Sequence, residues 1–183
     1  MTCLLVEDRD GVRILTMNRP EKHNALDTEL TTRLLQALRD ADTDGAVRSV
    51  VLTGSGKSFC AGADTSEFDA LAPHDPSAVT QRADLTTALH AAFSRISKPV
   101  VAAVRGNALG GGAGLALACD MTVMAADVLD TASALAAMMA AWNPLAMSAT
   151  KRLFHRVADV PLETGLAMGR DANVMMRGFR GAK

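Results

Sequence analysis

Val100-Val-Ala-Ala-Val-Arg-Gly-Asn-Ala-Leu-Gly-Gly-Gly-Ala-Gly-Leu-Ala-Leu-Ala-Cys-Asp120 decides how the rest of the chain is read. Its first five residues, Val100 to Val104, are apolar with no polar alternation, the pattern of a strand buried on both faces. Pro99 stands just before them, where a strand tolerates proline. The small residues from Gly112 to Cys119 predict a helix. Between strand and helix lie Gly110, Gly111 and Gly112. Glycines allow positive φ and let another molecule approach bare backbone. They also leave free N–H groups at a helix N-terminus, which favours negative charge, including a developing oxyanion. The same letters serve a tight turn with close helix–sheet packing.

A second stretch of the same kind lies upstream. Val50 to Thr53 predicts another buried strand, which runs into Gly54-Ser-Gly-Lys-Ser-Phe-Cys-Ala-Gly-Ala-Asp64. Gly62 and Ala63 again offer exposed backbone after a strand. Two amide sources on separate strands are what a two-donor oxyanion hole requires.

Three segments, in this order and spacing, resemble the crotonase (enoyl-CoA hydratase/isomerase) superfamily. They are Asn18-Arg-Pro-Glu-Lys-His-Asn-Ala-Leu26, Ser58-Phe-Cys-Ala-Gly-Ala-Asp64 and Gly106 to Asp120. The resemblance covers the chain to about Val128. It implies an α/β fold, a crotonase-like spiral of ββα units with a helical C-terminal part. It also implies binding of an acyl-CoA thioester whose enolate oxygen is held by two backbone N–H groups. By motif position those donors are Ala63 and Gly111. Ala61, Gly62, Asp64, Thr65 and Gly110 would line the thioester and pantetheine path, and Ala25 and Leu26 would lie near the CoA entrance. Asp64 is either an acid/base group or the cap of a following helix. A homotrimer or homohexamer is implied, with coenzyme A arriving as part of the substrate and no other cofactor.

One departure bears on the chemistry. Hydratases of the family use two glutamates, and the position of the first is Gly114 here. The second would fall after Val128. In relatives several tens of residues separate a strand like Met121 to Ala126 from the final helices. Here Val128 runs directly into the helical tail. The reading favours several tens of residues absent between 128 and 129 over a true deletion, because a deletion would cut into a close-packed core. Residues 1–128 then form the acyl-CoA-binding core and residues 129–183 a helical trimerisation and cover region. Two functions follow: a hydratase or isomerase, or a non-catalytic acyl-CoA-binding protein without acid/base groups. Side-chain direction places Gly114 toward the pocket, so Gly114→Glu is expected to restore a carboxylate there.

Elsewhere the chain reads as one soluble α/β unit. Leu4 to Glu7 and Val12 to Met17 are strands around the turn at Asp8 to Gly11. Asp27 caps a helix to about Asp42 with Leu30, Leu34, Leu38 and Ala41 on one face, Gly45 ends it, and Val47 to Thr53 is the next strand. Ala70 to Ser77 reads as a loop or lid, followed by a helix from Ala78 to Ile96 with a Leu85, Leu89, Ala92, Phe93, Ile96 stripe. Helices follow over Ala132 to Trp142, Leu145 to Val157 and Pro161 to Met176, then a basic tail.

Composition narrows the function classes. The 183 residues carry 19 basic and 20 acidic side chains, a net charge of −1 that provides no footprint for nucleic acid or an anionic membrane. No stretch is apolar and long enough to span a bilayer, and the N-terminus has no signal-peptide pattern. Cys3, Cys60 and Cys119 have neither metal nor disulfide spacing, which fits buried thiols in a reducing cytoplasm. Gly54-Ser-Gly-Lys-Ser58 lacks the first glycine of a phosphate-binding loop, Val51 standing there. His23, His74, His90 and His155 are scattered without a metal-ligand pattern. Ser55 and Ser58 have no histidine near them in sequence to support a hydrolase. Met138-Met139 and Met175-Met176 read as core or interface filler. Lys151 and Arg152 are candidates for a CoA phosphate contact or for a solvated helix face.

Overall fold

The computed structural model describes residues 2–67, 76–125 and 127–157, and beyond them 160–161, 163–164 and 167–168. Strands β1 (Leu4–Arg9) and β2 (Val12–Met17) form a hairpin with Leu4 opposite Met17 and Arg9 opposite Val12. Its turn, Asp10-Gly11, has positive φ at both residues, the twist that suits a two-residue hairpin. Three further strands join β2 in parallel: β3 (Ser49–Gly54), β4 (Val100–Ala103) and β5 (Met121–Val123). The sheet order is β1-β2-β3-β4-β5.

Each parallel step is bridged by a helix, α1 (Thr28–Thr43), α2 (Pro76–Arg95) and α3 (Gly111–Ala118) in turn. Asp27 caps α1 as its position predicts, its side chain accepting from Leu30 N–H at 2.7 Å. Leu30, Leu34, Leu38 and Ala41 are buried against the sheet. Strand alternation explains the continuous apolar runs. Leu15, Met17, Val50, Leu52, Val100 and Ala102 face the core shared with α1, α2 and α3. Val12, Ile14, Val51, Val101 and Ala103 face the other way. Both faces are covered, so neither tolerates polar alternation.

The second face is covered by α4 (Val128–Ala140), through Val128, Ala132 and Ala136. The helix starts four residues earlier than Ala132, where the composition placed it, and runs unbroken through Val128 and Leu129. Ser49 Oγ donates to Ala136 O at 2.9 Å and Arg48 Nη2 to Trp142 O at 2.9 Å, fixing α4 to the start of β3. Asn143 Oδ1 accepts from Leu145 and Ala146 N–H and opens α5 (Pro144–Val157), with proline at the first helical position. Other bounds shift by a few residues: α3 takes in Gly111 and ends at Ala118, and β5 stops at Val123. The loop expected over Ala70 to Ser77 lies largely outside the described residues, and α2 already begins at Pro76. Most of the expected helix from Pro161, and the tail, also lie outside them. No helix among the described residues is long and apolar enough to cross a membrane.

The seat of α4 can be tested by overpacking. Ala132 is fully buried and Ala134 exposed on the same helix. Ala132→Leu is expected to cost about 1–3 kcal/mol, and Ala134→Leu no more than about 0.5 kcal/mol, in urea unfolding. Equal effects at the two positions would mean that α4 does not pack through this face.

Candidate functional site

The site is built from the loops that leave β3 and β4. The first is anchored by Asn24, which is fully buried. Its Nδ2 donates to Ser55 O at 2.9 Å and Ser58 O at 2.7 Å, and its Oδ1 accepts from Arg19 N–H at 2.9 Å. His23 and Asn24 both adopt positive φ, so the chain turns sharply there. Ala61 N–H then donates to His23 O, Leu26 N–H to Gly62 O and Asp64 N–H to Leu26 O. Residues 61–64 thus run parallel to residues 23–26, with a bridge at Leu26 and Ala63. In a parallel bridge the middle residue's own N–H points away from its partner, so Ala63 N–H faces away from Leu26.

On its other side the same loop meets the exit of β4. Cys60 N–H donates to Asn107 O at 3.1 Å and Leu109 N–H to Cys60 O at 3.0 Å. The approach excludes side chains. A Cβ on Gly112 would collide with Cys60 O. Gly62 has φ +94°, and a Cβ there would lie 2.8 Å from Leu109 O and 3.2 Å from Gly111 N. Ala63 and Gly111 are neighbours in space: the Cβ position of Gly111 is 4.0 Å from Ala63 N and 3.7 Å from Leu26 Cδ1. Neither Ala63 N–H nor Gly111 N–H donates to another group among the described residues. Gly111 opens α3, so its amide carries the positive end of the helix.

The structure therefore brings Ala25, Leu26, Ala61, Gly62, Ala63, Asp64, Gly110 and Gly111 together, with Thr65 next along the chain and exposed. Asp64 is committed elsewhere. Its Oδ1 accepts from Ser66 Oγ and N–H, as a cap does, and its Oδ2 meets Arg19 Nη2 at 2.9 Å. The Ser66 hydroxyl and then Arg19 hold its carboxyl at about 2, below its ordinary 3.8. Glu67 is also engaged, by Thr28 and by Arg82 Nε at 3.2 Å.

His90 on α2 is a further residue at this site. A Cβ on Gly114 would lie 2.9 Å from His90 Nε2, so the imidazole fills the space toward which a side chain at 114 would grow. Gly114→Glu would have to displace it, which corrects the expectation that a carboxylate would enter an open pocket. Sequence gave little signal for His90, which lies one residue beside the Leu89 and Phe93 stripe.

Two other expectations change. Lys151 is not on a solvated helix face. It is 7% exposed, with Nζ 2.8 Å from Asp120 Oδ2 and donating to Lys98 O at 3.0 Å. This cluster and a cavity of about 430 Å³ beside it lie at the start of β4, the opposite end from the two loops. Arg152 is exposed and donates to Ser148 Oγ. Ser58, without a histidine near it in sequence, has His23 Nδ1 3.1 Å from its Oγ, but the hydroxyl is buried. Burial pushes the thiol of Cys60 up to about 11 and that of Cys119 to about 12, as inert thiols require.

The enoyl-CoA hydratase/isomerase family model matches residues 7–128, and the chain belongs to this family. It is 42% identical over 122 residues to the probable enoyl-CoA hydratase echA6 of Mycobacterium bovis, a match covering 67% of this chain and 46% of that protein. It is also 42% identical over 123 residues to 4-chlorobenzoyl coenzyme A dehalogenase-2 of an Arthrobacter species, covering 64% of this chain and 43% of that one. The crystal structure of an enoyl-CoA hydratase from Polaromonas sp. JS666 superposes with a TM-score of 0.88 at 25% identity, over 98% of this chain and 92% of that chain. The matched sequence spans just under half the length of the curated relatives.

Asp64 gives the site a pH signature. Its carboxyl is lowered in the folded state, so the folded protein binds its proton later than the unfolded chain does. Its contribution to stability is full above the ordinary value of 3.8 and is lost as pH falls through about 2. Asp64→Asn is expected to lower stability at neutral pH and to flatten the acid limb of the urea midpoint over this window. Parallel acid limbs for parent and variant would show that the Arg19 and Ser66 contacts do not act on Asp64 in solution.

Proposed function

We propose that this chain binds an acyl-CoA thioester and stabilises its enolate oxygen with the N–H groups of Ala63 and Gly111. The observation that carries this reading is the pair of undonated amides on loops leaving adjacent parallel strands, one of them at a helix N-terminus. Such donors act on charge that develops at the thioester oxygen and need no reorganisation during the reaction. Leu26 and Gly62, both buried, back the two amides with apolar side chain and bare backbone, and Ala61 beside them is half-buried. Enolate chemistry of this kind serves both hydration and double-bond isomerisation. It asks for no metal or redox cofactor, since coenzyme A enters with the substrate. Gly114 lacks the carboxylate of the two-glutamate hydration, which favours chemistry with one acid/base group.

Gly111→Pro tests the hole directly. Proline at the first residue of a helix removes only an N–H without a helical partner, so the fold is expected to survive. A 3-ketoacyl-CoA, whose enolate has its own ultraviolet band, should show that band on binding to the parent. Gly111→Pro is expected to weaken it by about 100-fold or more. Equal binding and an equal band in a folded Gly111→Pro protein would refute the assignment.

Assembly as a homotrimer or homohexamer is also proposed. β5 ends the sheet, and Leu117 and Met124 beside it are 84% and 73% exposed. Light scattering at micromolar concentration is expected to give three or six copies, and a monomer would refute this.

A further inference from the structure

The chain has glycine at 114, yet the space that a side chain there would use is not empty. His90 reaches it from α2. Its Nδ1 lies 2.9 Å from Thr86 O, and its Nε2 lies 3.4 Å from Gly111 O. A carbonyl only accepts, so the shorter contact makes Nδ1 the protonated nitrogen of the neutral ring. Nε2 is then left with its lone pair, beside the residue whose own N–H is assigned to the oxyanion. Once Nε2 gains a proton, the cation can donate to both carbonyls.

Among the described residues, the other acid/base candidates near the two amides are occupied. Asp64 is paired with Arg19 and Ser66, and at about 2 it is too weak a base to take a carbon-bound proton. Glu67 is held by Arg82 and Thr28. Cys60 is buried with its thiol raised.

We infer that His90 is the acid/base group of this site, an imidazole carried on α2 in place of a carboxylate carried on α3. The inference rests on the acyl-CoA reading above. Nε2 takes a proton from the carbon next to the thioester carbonyl. The C–H pair forms a carbon–carbon double bond, and the carbonyl pair moves to oxygen, where Ala63 and Gly111 N–H hold it. The imidazolium then returns the proton. Return to the same carbon gives exchange; in a β,γ-unsaturated thioester, return to the γ carbon moves the double bond into conjugation. No oxidant, water or other reactant is consumed. One base serves both directions, which suits isomerisation rather than hydration.

The test is exchange of α-protons of a saturated short-chain acyl-CoA in D2O, followed by NMR, with affinity measured separately by calorimetry. The parent is expected to exchange them. His90→Gln is expected to slow exchange by about 100-fold or more, with acyl-CoA affinity unchanged. Added imidazole is expected to restore exchange in His90→Ala, which a purely structural histidine would not show. Exchange at the parental rate in either variant overturns the assignment and leaves the oxyanion reading standing. A parent that binds the thioester without exchanging it also overturns the assignment. A parent that does not bind overturns the acyl-CoA reading itself. Where the variants do not fold, nitrogen-15 NMR of the parent decides: a proton on Nδ1 is expected, and one on Nε2 in the neutral ring overturns the inference.

Discussion

The loops leaving β3 and β4 meet backbone to backbone, and every feature of the site follows from that approach. Cys60 exchanges hydrogen bonds with Asn107 and Leu109, so the two chains are one strand spacing apart. A side chain at the contact would separate them. Gly112 faces Cys60 O and Gly106 faces Lys57 O with no room for a Cβ at either. These glycines do not provide flexibility. They remove bulk, so that two amides from distant parts of the chain come together.

The approach would not be fixed by backbone pairing alone, because short bridges at sheet exits are weak. Asn24 supplies the fixing, binding Arg19, Ser55 and Ser58 through both ends of its amide. Leaving such buried groups unpaired costs about 1–3 kcal/mol each, so a substitution here acts on several backbone groups at once. Arg19 adds a second tie. Its guanidinium joins Ala25 O, Asp64 and Asp27, the cap of α1. Buried ion pairs contribute less to stability than to placing groups. Here the placement runs from the cap of α1, through Arg19, to the residue next to Ala63.

Much of this was legible in the sequence because it depends on local patterns. Unalternated Val and Ala runs named the two-faced strands, and glycines after them named the exits. Asp27 announced the start of α1 by its position alone. What was not legible depends on long-range packing. α4 is rich in alanine, and alanine suits any buried or half-buried helix, so nothing local says that Ala132 and Ala136 cover the second sheet face. Lys151 reads as a surface cation on an amphipathic helix, but Asp120, 31 residues away, draws it inside. His90 lies 24 residues before Gly114. Only the crossing of α2 and α3 brings them together, and no periodicity reports a crossing.

The contact between His90 and Gly114 couples two positions beside the proposed pair of donors. The two N–H groups proposed as oxyanion donors belong to the backbone, set by loop paths and glycine rather than by side-chain identity. Substitutions around them therefore leave the pair of amides in place as long as the loops keep their approach. The proposed acid/base group is under no such constraint. It needs only to reach the carbon beside a thioester, and α2 and α3 meet where His90 lies against Gly114. Glycine at 114 removes one source and makes room for the other: a larger residue there would stand where the imidazole of His90 stands. The two positions are therefore coupled by volume, and a chain that carries a long side chain at 114 cannot keep this ring in this place.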